Sequence, residues 1–311
     1  MNAQDVAPLV EELRRRARAC DDRASFDTLQ RLVQRIERAM PERLPSIVAE
    51  ALVARRAMIA GCSVEAETPT PTGRTCDFRL TRGAEVLHVH VKRLDAPPFE
   101  PPTIPAALRR CLRRGRPARV EMRWDPQLNA LGQRRLGNAF EAFLRDGDVG
   151  ESICVRDAAQ RELGALRIDR PAERLEVRVE RPDREAVLAR LDRLLERAAQ
   201  QCMPGKANAI MVVGTSECDA DLLDQALLGS FIARWDRLPR RGERQAYGRD
   251  DLGLWSRGLA RDAGIACWCT MREAGRRPAL SGGHLWLRDR PAPSPAAAAL
   301  ARASLMRSRT G

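Results

Sequence analysis

The spacing of apolar residues changes period near Gly61, and no other feature of the chain constrains its fold as strongly. Before that point, Val6, Leu9, Val10 and Leu13 recur every three to four residues, followed by Phe26, Leu29, Leu32, Val33 and Ile36. Such spacing lays an apolar stripe along a helix. It predicts helices over 3–19, 25–40 and 45–60, with Ser25 as an N-cap, Pro41 and Pro45 as interruptions and Gly61 as a C-cap. Beyond it, residues 85–92 read EVLHVHVK. Leu87, Val89 and Val91 then share one face of a strand, and His88, His90 and Lys92 share the other. A chain that switches from one period to the other is a mixed α/β or α+β protein rather than a helical bundle.

The rest of the chain continues the mixture. Short strands are expected at 63–67 and 76–80, separated by the turn-rich TPTPTGR at 68–74. Further strands are expected at 118–124, 152–156, 165–169, 175–180, 265–271 and 283–287, with Gly282-Gly283 read as a turn before the last. The nearly all-apolar stretch at 208–213 has the character of a strand buried on both faces. Helices are expected at 106–114, 131–145, 183–202 and 219–232. Proline crowds 95–105, a linker or surface loop.

Charge narrows the class of partner. The chain of 311 residues carries 54 basic against 42 acidic residues, a net charge of +12. All but two of the basic residues are arginine, so Lys92 and Lys206 stand out. This balance favours polyanions, nucleic acid first. The densest basic patch is Arg109, Arg110, Arg113, Arg114 and Arg116, with Arg14–Arg16 as a second run. Aromatic residues are only 4% of the chain, too few for a single-strand stacking platform, so contact with duplex phosphates is the better expectation. Apolar runs such as 209–213 fall far short of the roughly 20 residues that cross a bilayer. The N-terminus lacks the apolar core of a signal peptide, so a cytoplasmic protein without a membrane partner is expected. Nine cysteines occur without a CxxC pair beside only three histidines, which argues for reduced thiols rather than structural zinc. No P-loop, GxSxG or HExxH occurs.

Glu50 falls on the third helix, Asp77 on the second strand, and His90-Val91-Lys92 on the third strand. A helix with a carboxylate, a strand, a strand with Asp and a strand ending in x-x-Lys form an order that resembles the PD-(D/E)XK nuclease superfamily, the restriction-endonuclease-like fold. The family core adds a helix and a strand, here 183–202 and 208–213, so the resemblance covers 45–93 and 183–213.

The resemblance implies a mixed sheet flanked by helices. The core would occupy 41–95 and 183–290, with a helical extension at 1–40, a β-rich insertion at 96–182 and a flexible Ala/Pro/Arg tail at 291–311. It also implies metal-dependent hydrolysis of nucleic acid, duplex DNA being favoured. Asp77 and His90 would hold Mg2+ or Mn2+, Lys92 would face the phosphate or the attacking water, and Glu50 would be a secondary carboxylate. The sequence departs from the family at His90, where an acidic residue or Gln is usual. Imidazole carries no negative charge and suits magnesium poorly. Two expectations follow: a nuclease with altered metal preference, or a catalytically inactive nuclease-fold protein that binds nucleic acid or serves in an assembly, with protein partners or as a homo-oligomer. Read without the family, Asp77 is an exposed strand-end residue, and His88 and His90 are the solvent side of a half-exposed strand.

Overall fold

The computed structural model describes residues 1–311 apart from 2, 70–72, 74, 98, 100, 113, 114, 182, 235–245, 273–276 and 307–311. The first apolar stripes become α1 (Ala3–Arg18), α2 (Arg23–Glu37) and α3 (Leu44–Ile59), followed by β1 (Ser63–Pro69), β2 (Thr75–Arg82) and β3 (Glu85–Arg93). Next come α4 (Ala106–Leu112), β4 (Ala118–Trp124), α5 (Ala130–Asp146), β5 (Ser152–Arg156), β6 (Glu162–Pro171) and β7 (Glu176–Val179). The chain continues through α6 (Arg184–Ala199), β8 (Asn208–Gly214), α7 (Ala220–Leu228), β9 (Phe231–Arg234) and β10 (Ala246–Arg249). It closes with β11 (Ile265–Arg272), β12 (Ala279–Leu287) and α8 (Pro295–Leu305). The expected mixture of helices and strands is present, with a six-stranded mixed sheet flanked by helices.

Several boundaries differ from the sequence expectation for local reasons. The N-cap of α2 is Asp22, whose carboxylate accepts the Ser25 N–H at 3.0 Å. Ser25 lies inside the first turn, where its hydroxyl accepts the Val64 N–H at 2.9 Å and ties the helix to β1. The helix expected over 219–232 stops at Leu228, because Gly229 takes a φ of +85° and the chain re-enters a strand at Phe231. Gly282 and Gly283 lie within β12 rather than in a turn before it. Within the tail, where the composition suits partial disorder or a loosely attached helix, Pro295–Leu305 forms α8, capped by Ser294 and burying Ala297, Leu300, Ala301 and Leu305.

The chain divides into two compact units. Unit 1 comprises Met1–Phe99, Ala186–Leu227 and Leu254–Gly311, and unit 2 comprises Glu100–Glu185 and Leu228–Gly253. In unit 1 the strand order is β1-β2-β3-β8-β11-β12. The first three strands pair antiparallel, β8 runs parallel to both β3 and β11, and β12 returns antiparallel. β8 is buried at every position, as its apolar run requires of a central parallel strand. Leu87, Val89 and Val91 join Phe78, Met211 and Cys267 in one core with α1, α2, α3 and α8. Strand parity sends His88, His90 and Lys92 to the opposite face.

Unit 2 has its own sheet, of order β5-β6-β4-β7, with a second pair of strands, β9 and β10. Leu108 and Leu112 of α4 and Leu136, Phe140 and Leu144 of α5 pack with Val120, Met122, Leu166 and Ile168 in a separate core. Among the described residues no helix is long and apolar enough to cross a membrane.

Candidate functional site

The Phe78–Val89 pairing of β2 and β3 sets Asp77 beside the end of β3. Its Oδ2 accepts the Val91 N–H at 2.8 Å and lies 3.3 Å from Lys92 Nζ. Lys92 Nζ also donates to the Val91 carbonyl at 3.2 Å. The Lys92 and Asp77 side chains are only 15% and 23% exposed, so this pair is partly sheltered from water. Asp77 is therefore not an exposed strand-end residue.

Glu50 projects from α3 into a two-pronged contact with Arg35, at 2.7 and 3.3 Å. Burial pushes its carboxyl above the usual range against the opposing pull of Arg35, and the charges of Asp77 and Lys92 also act on it. The geometry joins Glu50 to Arg35 and Asp77 to Lys92 as two ion pairs. Arg35 is shared with Glu67, 3.8 Å away. Glu67 falls between the Ala66–Phe78 and Thr68–Cys76 pairings with a φ of +57°, a left-handed conformation that is uncommon outside glycine. Nothing in the local sequence marks Glu67 for this role, since the signal lies in the interrupted pairing of β1 with β2.

His90 is 0% exposed, and His88 is also buried. Neither is the solvent face of a half-exposed strand. His90 Nε2 lies 3.5 Å from Asn208 Oδ1, and its Nδ1 is buried with no hydrogen-bond partner among the described residues. The Asn208 amide is held by its own contacts. Its oxygen accepts from the Met203 N–H at 2.9 Å, and its two N–H groups are shared among the carbonyls of Met203, Lys206 and Asp262. That orientation turns the amide oxygen toward His90 Nε2. Burial drives the His90 pKa down to about 4, against the opposing pull of Asp77. At neutral pH the ring is an uncharged, enclosed side chain.

The basic patch divides. Arg109 and Arg110 are exposed on α4, whereas Arg113 and Arg114 lie outside the described residues. Arg116 donates to the Gly147 carbonyl and sits 3.8 Å from Asp148. In the Arg14–Arg16 run, Arg14 pairs with Glu37 and Arg16 with Glu12. Burial raises the Cys76 and Cys202 thiols to about 12, which leaves little nucleophilic thiolate. Among the described residues, no three His, Cys, Asp or Glu side chains converge as a metal-binding group.

A second polar chain went unread in the sequence. Trp268 Nε1 donates to Thr270 Oγ1 at 3.3 Å, and Thr270 donates to Glu217 Oε2 at 2.7 Å. His284 Nε2 lies 2.8 Å from the other Glu217 oxygen. A side chain at Gly282 would strike the Glu217 carboxylate, so the glycine makes room for it.

No family model, curated protein or solved structure matches this chain.

Proposed function

We propose that this chain is a restriction-endonuclease-like protein that has lost the open metal-binding face of its fold and binds nucleic acid without cleaving it. The order α3, β1, β2, β3, α6, β8, with β1 to β3 antiparallel and β8 parallel to β3, supports the family reading. One observation carries the loss of catalysis: the Asp77 carboxylate is closed by Lys92 and the Val91 N–H, while His90 is neutral and fully enclosed. Magnesium takes about six oxygen ligands, several of them water, and favours anionic donors. Asp77 and His90 supply one engaged carboxylate and one imidazole with no surface toward solvent, and Glu50 is held by Arg35. That donor set does not fit the ion. The net charge of +12 supports a polyanionic partner. Free cysteines at Cys20, Cys62, Cys76, Cys154, Cys202, Cys267 and Cys269 suit the reducing cytoplasm.

A second reading, a metal-dependent nuclease, draws support from the mutual influence of Glu50, Asp77 and Lys92. Labelled duplex and single-stranded DNA incubated with magnesium, manganese or chelator separates the two. The expected result is salt-sensitive binding with no cleavage, unchanged in Asp77→Ala and Lys92→Ala. Metal-dependent cleavage abolished by both substitutions would establish the nuclease instead.

A further inference from the structure

Unit 2 spends its charge unequally on its two faces. On the sheet, Arg119 meets Glu176 at 2.7 Å, and Arg123 meets Glu162 at 2.7 Å and Glu180 at 2.9 Å. Arg184 meets Glu121 at 3.2 Å, deep enough that burial pushes the Glu121 carboxyl above its usual range. These arginines are matched by acids that strand pairing brings beside them.

The helical face differs. Leu108, Leu112, Leu136 and Phe140 turn inward to the core, which leaves the polar sides of α4 and α5 outward. Arg109, Arg110 and Arg134 are exposed there and form no ion pair among the described residues. Arg110, Gln133, Arg134 and Asn138 line a groove between the two helices. Glu141 lines it too and is itself already engaged in a polar contact.

We propose that the α4–α5 groove is where this chain contacts the phosphates of duplex nucleic acid. The proposal rests on the binding reading above and locates its surface. Two guanidinium groups match phosphate oxygens in a forked geometry, and the side-chain amide of Asn138 adds a neutral donor, while that of Gln133 already donates to the Leu128 carbonyl at 3.0 Å. Among the described residues no aromatic ring lines the groove. Unstacked bases would find no platform there, whereas a duplex backbone needs none. Arg134 belongs to this surface although the run from Arg109 to Arg116 is more than a dozen residues away in the chain, because α5 folds back against α4.

The test is fluorescence anisotropy of the full chain with a labelled DNA duplex over a series of salt concentrations, with cleavage monitored in the same samples. The Arg110→Ala/Arg134→Ala double variant is compared with Arg119→Ala/Arg123→Ala, which removes the same charge from the paired sheet face. For the groove variant, affinity is expected to fall about tenfold or more, and the slope of log affinity against log salt to drop by about two. The sheet-face variant is expected to change far less, and thermal melts of both verify folding. Equal losses in the two variants, or undiminished binding by the groove variant, overturn the groove while leaving binding intact. Tighter binding to the single strand, or to polyglutamate at equal charge concentration, also overturns the proposal, the latter assigning the groove to an acidic protein. No binding by the native chain at low salt sinks both the groove and the reading beneath it.

Discussion

His90 is enclosed in the interior as a neutral ring, and the cost of that burial is readable in acid. In the native chain its pKa is near 4, against 6.5 for a free imidazole. Between those values the unfolded chain takes up a proton that the native chain refuses. Native stability therefore falls as pH drops from about 6.5 to 4, by up to about 3 kcal/mol for this one group. His88 is shifted in the same direction by its own burial. Glu50 works with the opposite sign: its raised pKa gives stability that is complete below 4.5 and lost as pH rises. The His90 contribution is thus the difference between the native chain and His90→Gln, in which Glu50 and His88 cancel. Urea midpoints from pH 7.5 to 4 should show a shallower acid loss in the variant. Parallel curves would mean that His90 is not held neutral.

The end of β8 has no room for a side chain. Gly214, at the end of β8, lies against the indole of Trp268, and a Cβ built there would penetrate the ring. Trp268 is fully buried on β11, whose parallel pairing with β8 fixes the distance between them. Gly214→Ala is expected to destabilise the chain by about 1–3 kcal/mol through overpacking. A lower urea midpoint with an unchanged far-ultraviolet spectrum would show this, and an unchanged midpoint would mean that the ring moves without penalty. A residue with only a hydrogen for its side chain is needed where β8 meets an indole, and that need is invisible in the strand's own apolar run. The amphipathic faces of α1 and α2, by contrast, were legible in their spacing. The Asp22 cap was not, because its carboxylate is shared between its own helix and Ser63, 41 residues away.

Each unit encloses its own apolar cluster, and in a chain with two cores unfolding need not be a single transition. Phe140 is fully buried in the core of unit 2, and Leu52 is nearly so in that of unit 1. Removing either side chain to Ala is expected to cost about 2–5 kcal/mol. Calorimetry should show Phe140→Ala lowering one transition and Leu52→Ala lowering another. A single transition lowered equally by both would show the units to unfold together. Unit 2 returns to the chain at Leu228–Gly253 after the core of unit 1 has resumed. The sequence reading ends the insertion at 182 because the helix at 183–202 is taken into the core, and no local pattern signals that a later segment groups with the insertion.

What the sequence determined by itself was periodic or local: the helices before Gly61, the strand alternation of EVLHVHVK, the apolar run of β8, and the spacing that links Glu50, Asp77, His90 and Lys92. Apolar spacing records which residues share a face, because that depends only on the rise and turn of the backbone. It does not record what covers the other face. Only the tertiary structure decided that His90 is enclosed beside Asn208, that Lys92 closes Asp77, and that Glu67 stands in a left-handed bend beside Arg35. It also decided which arginines are spent on acids and which remain open on α4 and α5. Burial and ion pairing are contacts between residues far apart in the chain, and a spacing pattern carries no record of them.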